Sequence, residues 1–186
     1  ADGRVERFVE KPAPGTAPSN LVNAGTYVLE PSVLQRIPSG EKISIERVTF
    51  PAIAAARGLF GMATEDYWID TGQPDLYLQA NLDVVSGLRK NDQAVAVHTD
   101  AVVHPTAVIK DSLVGPGATV GHNAVVHRSV VLPNAEIGDG ATVTDSMVMG
   151  RVGASAVVQG CVIGATGVVA AGEHVHDERR PQPISK

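Results

Sequence analysis

Hydrophobic residues recur at a short, regular spacing in the second half of the chain. From residue 103 onward, valine or isoleucine appears at steps of six or five positions, with one step of four. The set comprises Val103, Ile109, Val114, Val120, Val126, Val131, Ile137, Val143, Val148, Val152, Val158, Ile163 and Val169. A small or aliphatic residue follows most of them four positions later, as at Ala107, Ala118 and Ala124. A repeat this short indicates a stack of similar units, each of which buries a face of its neighbour.

The repeat has a direct physical interpretation as a triangular coil. Each unit supplies one short strand and one corner, and its aliphatic residue points inward. Glycine at corners such as Gly121 and Gly138 accepts backbone angles that a Cβ penalises. Three units form one turn of about eighteen residues, so residues 103–175 give about four turns. The sequence thus predicts a parallel β-helix. A valine-rich antiparallel sandwich is the alternative, because alternating inward and outward residues are common to both folds.

The first half of the chain alternates between strand and helix patterns. Predicted strands are residues 4–10, 24–29 and 60–64, and residues 93–98 lead into the β-helix. Predicted helices run from Pro31 to about Arg36, from Ile45 after the N-cap Ser44 to about Arg57, and from about Pro74 to Arg89. The predicted fold class is therefore α/β plus β. The predicted domains are residues 1–92 and the β-helix at 93–176, followed by a polar tail at 177–186.

Composition narrows the class of protein. The 186 residues are 44% hydrophobic and 19% charged with a net charge of −5, which is typical of a globular protein. This balance lacks the basic surface that nucleic-acid binding requires. No apolar run reaches the length of about 18 residues that a membrane-spanning helix needs. Cys161 is the single cysteine, so no internal disulfide forms, as expected of a cytoplasmic protein. The aromatic residues all precede residue 78, which agrees with a narrow β-helix interior.

Four short stretches in the first half resemble a known enzyme family. They are FVEKP at 8–12, NAGTY at 23–27, SIERVTFP at 44–51 and WIDTGQP at 68–74. In this order they resemble nucleotidyltransferases that join a sugar 1-phosphate to a nucleoside triphosphate, one branch of which carries a hexapeptide β-helix. The resemblance implies a partial Rossmann-like nucleotidyltransferase domain and a left-handed β-helix. The sequence at 44–51 is most similar to that of mannose-1-phosphate guanylyltransferases, with glucose-1-phosphate adenylyl-, uridylyl- and thymidylyltransferases as alternatives.

The resemblance also implies roles for individual residues. The sugar phosphate attacks the α-phosphorus of the triphosphate in line, and catalysis depends on positioning and on charge neutralisation around Mg²⁺. Lys11 would hold the sugar phosphate, and Glu10 would accept hydrogen bonds from sugar hydroxyls. Asn23 and the backbone of Gly25 would fix the sugar ring. Asp70 would bind Mg²⁺, because this hard cation prefers carboxylate oxygen. Lys11 and Asp70 are thus the expected catalytic residues.

Each of these residues has a simpler interpretation. The Glu10–Lys11 pair has the character of a solvated strand end, and Asn23 before Gly25 is typical of a turn. Asp70 is also suited to cap the helix that begins at Pro74. Glu46 and Arg47 are expected to support a helix start, and Trp68 to pack in a core.

The chain departs from the family pattern in one respect. It contains neither the glycine-rich segment with its arginine and lysine that holds the triphosphate, nor the first metal-binding aspartate. We therefore expect the chain to be inactive alone, either as a fragment, as its start at Ala1 suggests, or as one subunit of a split enzyme.

Three further expectations concern function and assembly. A homologue that binds a nucleotide sugar and regulates an active subunit is the second hypothesis. A hexapeptide acyltransferase, with His122 or His127 as general base, is a third. His174 and His176 alternate and should share one strand face, where two ligands are too few for a typical zinc site. The aliphatic faces of the β-helix suit packing between subunits, so a homo-oligomer is expected.

Overall fold

The computed structural model describes residues 2–9, 11–90 and 95–182. The chain divides into two compact units, and the boundary along the sequence falls between Trp68 and Ile69. The first unit contains short helices, and the second contains a longer helix and three parallel sheets. By compactness the longer helix lies in the second unit.

Within the described residues, fifteen short strands form three five-stranded sheets. Sheet 1 contains β1 (Val102–Val103), β4 (Thr119–Val120), β7 (Glu136–Ile137), β10 (Arg151–Val152) and β13 (Val168–Val169). Sheet 2 contains β2 (Val108–Lys110), β5 (Val125–His127), β8 (Thr142–Thr144), β11 (Val157–Gln159) and β14 (His174–His176). Sheet 3 contains β3 (Leu113–Val114), β6 (Val130–Val131), β9 (Met147–Val148), β12 (Val162–Ile163) and β15 (Arg179–Arg180).

The strand register confirms the predicted parallel β-helix and corrects its dimensions. Neighbouring strands pair in parallel, so the antiparallel sandwich is wrong. Val102 pairs with Thr119, so this turn of the β-helix contains 17 residues, not eighteen. The reason is that the step from sheet 2 to sheet 3 takes five residues, as from Ile109 to Val114. Each sheet has five strands, so the β-helix has five turns where about four were expected, consistent with the left-handed class.

One turn of the β-helix is shorter than the others. Glu136 pairs with Arg151, a register step of 15 residues. The shortening lies between β9 and β10, which only Met149 and Gly150 connect. A Cβ placed on Gly150 would collide with the carbonyl oxygens of Gly164 and Gly167 in the next turn. Glycine is therefore required where the chain takes this tight corner.

The interior of the β-helix is a dry aliphatic column. Val126, Val143 and Val158 are completely buried, as are the corner residues Ala124 and Ala141. Burying one valine side chain of this kind contributes about 1.5–3 kcal/mol to stability. The corner alanines leave no volume for a larger side chain, which explains why the repeat contains no aromatic residue.

A ladder of buried hydroxyl and thiol groups lies at the corner that comes directly after the strands of sheet 2. Ser112 Oγ accepts a hydrogen bond from Ser129 N at 3.0 Å, and Ser129 Oγ accepts from Ser146 N at 3.1 Å. Ser146 Oγ accepts from Cys161 N at 3.0 Å, and Cys161 Sγ from Glu178 N at 3.4 Å. Each hydroxyl or thiol also donates to the carbonyl two residues earlier, as Ser129 Oγ does to His127 O at 2.8 Å. The ladder gives acceptors to buried amides such as Ser129 N and Ser146 N, whereas the carbonyls also accept from the next turn, as His127 O does from Asp145 N at 3.1 Å.

Replacing Ser129 with alanine is expected to destabilise the β-helix by about 1–3 kcal/mol, because Ser146 N is left without an acceptor in a buried site, while His127 O keeps its hydrogen bond from Asp145 N. Cys161 shows that a thiol also fits this ladder position, so Ser129→Cys should recover most of the loss. The free energy of unfolding from urea titrations measures both changes. Equal stability of Ser129→Ala and the wild type would contradict this role.

The helices agree with the sequence predictions in place but not in every boundary. A 3₁₀ helix spans Pro31–Arg36, a π-helical turn spans Ile45–Thr49, α1 spans Phe50–Ala55 and α2 spans Pro74–Val85. Ser44 caps the second of these as predicted, since its hydroxyl accepts from Arg47 N. Of the helices in the described part of the chain, none has the length and apolar character needed to cross a membrane.

Two helix predictions need correction. The helix expected from Ile45 to Arg57 divides into a π-helical turn and α1. Pro51 has no N–H to donate, and Phe50 N instead reaches back five residues to Ile45 O. The helix expected to reach Arg89 ends at Val85, because Gly87 adopts the left-handed conformation with φ of 78°.

The strands expected in the first unit do not form. In the described residues of 2–90, the pairing is reduced to an isolated antiparallel bridge between Arg4 and Phe60. Residues 24–29 form no strand, and Val28 is completely exposed. A strand needs a neighbouring strand to satisfy its backbone hydrogen bonds, and the described residues of this unit provide no such neighbour for residues 24–29.

Both ends of the β-helix differ from expectation. Val97 makes a single parallel bridge to Val114, whereas residues 93 and 94 of the predicted leading strand lie outside the described residues. At the other end, β15 lies within the segment 177–186 that was expected to be a polar tail. Its pairing with β12 extends the β-helix to Arg180.

Candidate functional site

A closed hydrogen-bond network lies in the first unit and includes Asn23. The amide nitrogen Nδ2 of Asn23 donates to the hydroxyl of Tyr27 at 2.6 Å and to Oε1 of Glu46 at 2.9 Å. The Tyr27 hydroxyl donates to the same Glu46 oxygen at 2.8 Å. The side-chain oxygen Oδ1 of Asn23 accepts from Gly25 N at 3.1 Å. Three side chains from two separate stretches of sequence thus hold one another in fixed orientations.

The segment between Asn23 and Gly25 is also held from a third stretch. Trp68 Nε1 donates to Ala24 O at 3.2 Å. Gly25 adopts φ of 74°, and no atom lies within 4 Å of the position that a Cβ would occupy there. The segment is therefore tethered by Glu46 and Trp68, while the face of Gly25 stays open for a ligand to approach the backbone.

An aromatic cluster packs against the Tyr27 ring of this network. The Phe50 side chain is 1% exposed, and its ring lies 4.7 Å from that of Tyr27 in an edge contact and 5.4 Å from that of Phe8. Such aromatic contacts contribute about 0.5–1.5 kcal/mol each beyond area burial. Phe8, Tyr27, Phe50 and Trp68 come one from each of the four family-like stretches, so the fold brings parts of all four stretches together.

Lys11 lies at the surface of the first unit. Its side chain is exposed and its backbone adopts a φ of 51°, a left-handed conformation that costs a residue with a Cβ about 1–2 kcal/mol. Strain of this kind often accompanies a residue whose position serves a function. Glu10, the neighbouring predicted sugar ligand, lies outside the described residues.

Asp70 belongs to the second unit and ends up in a turn. Its Oδ1 accepts from Gly72 N at 2.9 Å, and its side chain is exposed. The expectation that it caps the following helix is wrong, because Gln73 is the N-cap residue of α2 and makes no side-chain cap. In the described part of the chain, no three His, Cys, Asp or Glu side chains are grouped to hold a metal ion. Asp70 therefore offers a metal one carboxylate, and the other ligands must come from elsewhere.

The sequence missed one role in this region and misjudged another. Glu46 lies in the first helical turn after Ser44, as expected, but its carboxylate also accepts from Asn23 and Tyr27. Trp68 was assigned to a core, whereas its side chain is 50% exposed and binds the backbone of Ala24. The available signal was that both residues stand inside family-like stretches, next to the residues singled out.

The β-helix histidines do not converge on a second site. The rings of His104 and His122 are in contact, with centroids 4.9 Å apart, and His127 lies 3.6 Å from the Asp111 carboxylate. His174 and His176 share the outer face of β14 on either side of buried Val175, as their alternation predicts.

Two family models match separate parts of the chain. Residues 1–87 match the family model described as Nucleotidyl transferase. Residues 91–179 match the model described as GMPPB C-terminal domain.

Curated relatives match across both regions. Mannose-1-phosphate guanylyltransferase 1 of Arabidopsis thaliana is 40% identical over 119 residues, which is 64% of this chain and 32% of that protein. The probable mannose-1-phosphate guanylyltransferase 1 of Oryza sativa subsp. japonica is 44% identical over 61% of this chain and 32% of its own length. The mannose-1-phosphate guanylyltransferase of Mycobacterium tuberculosis is 36% identical over 64% of this chain and 35% of its own length. The matched region thus spans about a third of these relatives.

Among solved structures, a perosamine N-acetyltransferase from Caulobacter crescentus has a TM-score of 0.35 at 17% identity, covering 49% of this chain and 56% of that one. This likeness is too slight to support an inference about function.

Proposed function

We propose that this chain, in which residues 1–87 match the nucleotidyl transferase family model and residues 91–179 match the GMPPB C-terminal domain model, is the sugar-phosphate part of a nucleotide-sugar synthase. The reaction joins a nucleoside triphosphate to a sugar 1-phosphate and releases pyrophosphate. The favoured substrates are GTP and mannose 1-phosphate, with GDP-mannose as product. The relatives named as mannose-1-phosphate guanylyltransferases, at 36–44% identity, support this choice.

The network of Asn23, Tyr27 and Glu46 is the observation that carries the proposal. Sugar hydroxyls are recognised best by polar groups whose orientation is fixed before the ligand arrives. Both hydrogens of the Asn23 amide are engaged, and Glu46 Oε1 accepts two hydrogen bonds. Among the described residues, Glu46 Oε2 makes no hydrogen bond, so it is available to accept one from a sugar hydroxyl. The open face of Gly25 beside it lets the ring approach the backbone.

Lys11 supplies the positive charge that a sugar 1-phosphate requires. A lysine ammonium is a compact charge on a flexible stem, suited to follow a phosphate that moves toward the α-phosphorus. Its exposed side chain is accessible to a ligand from solvent. We assign to Glu10 the hydrogen bonds to sugar hydroxyls that the family resemblance implies.

The proposed reaction also requires Mg²⁺, for which Asp70 is the candidate ligand. Mg²⁺ commonly keeps several waters and binds one or two carboxylates together with substrate phosphates, so a single exposed carboxylate fits this mode. One Asp70 oxygen is engaged by Gly72 N, which orients the carboxylate. When bound, the ion neutralises the phosphate charge that builds up as pyrophosphate leaves.

Turnover by the natural full-length protein tests the proposal. We expect pyrophosphate release with GTP and mannose 1-phosphate in the presence of Mg²⁺, and little release with ATP, UTP or dTTP and glucose 1-phosphate. Failure to release pyrophosphate with any of these pairs would overturn the enzyme assignment. Binding of GDP-mannose without turnover would instead favour the non-catalytic regulatory homologue.

Replacing Glu46 with glutamine is expected to raise KM for mannose 1-phosphate about tenfold, because the sugar hydroxyl then donates to a neutral instead of a charged acceptor, a difference of roughly 1–1.5 kcal/mol. Steady-state kinetics with GTP saturating measures the change. The matched control is Glu41→Gln, which removes the same charge from an exposed residue of the same unit. If both variants have the KM of the wild type, Glu46 does not contact the sugar.

A further inference from the structure

The fifth turn of the β-helix departs from the repeat at two positions. Glu173 occupies the corner position at which the four earlier turns have the alanines Ala107, Ala124, Ala141 and Ala156. Arg180 pairs in register with Ile163 and so occupies the inward position that is aliphatic in every earlier turn of sheet 3. Charged residues thus stand at two positions where the repeat buries apolar ones.

The two departing residues bind each other. Arg180 Nη2 lies 2.7 Å from Glu173 Oε1 and 3.0 Å from Glu178 Oε2. The side chains of Arg180 and Glu173 are 23% and 34% exposed, respectively. Val169 and Val175 of the same turn are almost completely buried. The ion cluster therefore closes the aliphatic column at this end.

The same cluster also occupies backbone groups at the edge of sheet 1. In all four earlier turns the amide after the inward residue of sheet 1 donates to the next turn, as Gly121 N does to Ile137 O at 2.8 Å and Gly153 N to Val169 O at 2.9 Å. Ala170 N stands at the equivalent place after β13 and donates instead to Glu173 Oε2 at 2.8 Å. Arg180 Nη1 reaches Val168 O at 3.4 Å. A carboxylate and a guanidinium thus take hydrogen bonds at the edge that a further strand would use.

We propose that Glu173, Arg180 and Glu178 form an edge cap that stands in for a sixth turn and blocks the stacking of a second copy of this chain on the β-helix. Open sheet edges are templates for strand addition, and inward-pointing charges are one way to prevent it. Repeat structures need such polar ends to avoid association. An incoming strand would have to break the ion pairs and bury their charges without partners, which is costly.

The first turn of a second copy is the occupant that the cap excludes. Val103, Ala107 and Ile109 of that turn carry the residues of the repeat and are only partly buried. In sheet 3 the bridge of Val97 to Val114 already covers the edge of this turn, so a stacked copy would have to displace it there. All strands of a β-helix run in the same direction, so this turn would continue the register of the last one. Such head-to-tail contacts do not close on themselves and produce growing chains.

The charge state of the cap gives a pH-dependent prediction. The Arg180 guanidinium, followed by the Ala170 amide, lowers the pKa of the Glu173 carboxyl from 4.5 to about 2. Glu173 and then Glu178 raise the pKa of the Arg180 guanidinium above its ordinary value. Because folding lowers the carboxyl pKa, the contribution of Glu173 to stability is complete above pH 4.5 and is lost as the pH falls toward 2. The difference in melting temperature between wild type and Glu173→Gln should therefore shrink over this range, and a constant difference would contradict the ion pair.

A variant that restores the repeat tests the cap directly. Glu173→Ala combined with Arg180→Val gives the last turn the residues of the earlier ones. Sedimentation velocity of the full chain should then show concentration-dependent species larger than those of the wild type. The control is Glu136→Ala with Arg151→Val, which removes an exposed ion pair of sheet 1 with the same change of residue types. A repeat-restored variant that keeps the wild-type size at every concentration would overturn the proposal.

Hydrogen exchange keeps the proposal testable if the double variant does not fold. The Ala170 amide should exchange at least about tenfold faster in Glu173→Gln than in the wild type, as expected for the loss of a charge-assisted hydrogen bond. The Gly153 amide, which bonds to the β13 backbone, should be unchanged. An Ala170 amide that exchanges in the wild type at the rate of an unprotected peptide would show that the edge is not capped.

Discussion

Replacing Lys11 with alanine is expected to lower kcat/KM for mannose 1-phosphate by about 100- to 1,000-fold in the natural full-length protein. This is the usual range for the loss of one fixed group that stabilises charge in a transition state. Lys11 is exposed and its ammonium is a mobile charge, so the loss should affect the phosphate without disturbing the Asn23 network. Alanine has the same left-handed backbone cost as lysine, so the substitution leaves the φ of 51° equally strained.

Two comparisons isolate the role of Lys11. Lys42→Ala removes the same charge from another exposed lysine of the first unit and should leave the kinetics unchanged. Lys11→Arg should recover part of the activity, since it retains the charge in a different geometry. Steady-state rates with mannose 1-phosphate varied and GTP saturating give the ratio. A Lys11→Ala enzyme within about threefold of wild type would exclude Lys11 from the phosphate site, because that difference is below the effect of a single hydrogen bond between charged groups.

The β-helix was predictable from sequence because its information is local. Each aliphatic residue, such as Val120, reports its own inward position, and its neighbours five or six positions away report the next. The number of residues in a turn was harder to predict, because it depends on which steps close one triangle. The register of Val102 with Thr119 shows that two steps of six and one of five close it.

The cap was visible in the sequence as an interruption but was misread. Arg180 was placed in a polar tail, because a charged residue ends an aliphatic repeat in either interpretation. Only the pairing of Arg180 with Ile163 shows that the residue retains an inward position. Its partner Glu173 lies seven positions earlier, a separation that the five- and six-residue steps of this repeat do not single out.

The first unit was predictable in its motifs and not in its secondary structure. The residues that converge there are separated by long gaps, as Asn23 is from Glu46. No spacing rule connects them, and the family resemblance marked Asn23 but not its partner. The predicted strands failed for a different reason, since alternation reports a preference for an extended chain while a sheet requires partners. Arg4 and Phe60 form an isolated bridge, and in the described part of this unit no further strand pairs with it.

Replacing Gly150 with alanine is expected to destabilise the β-helix by about 3 kcal/mol, at the upper end of the usual cost of adding a methyl group to a packed site. The new Cβ would meet two carbonyl oxygens, those of Gly164 and Gly167. Neither carbonyl is free to withdraw, because Gly167 O accepts from Arg151 N at 3.0 Å and Gly164 O accepts from Gly167 N at 2.7 Å. Relief therefore requires breaking hydrogen bonds of the shortened turn or separating two turns.

Gly172→Ala is the matched control for this substitution. Gly172 adopts φ of 69°, and no atom lies within 4 Å of its Cβ position, so alanine there meets backbone strain but no collision. That strain costs about 1–2 kcal/mol. The Gly150 variant should melt lower than the Gly172 variant by roughly 2–8 °C, given a shift of about 2–4 °C per kcal/mol for a chain of this size. If Gly150→Ala were as stable as Gly172→Ala, the turn would have relaxed around the methyl group. The four-residue step between Val148 and Val152 would then not depend on glycine.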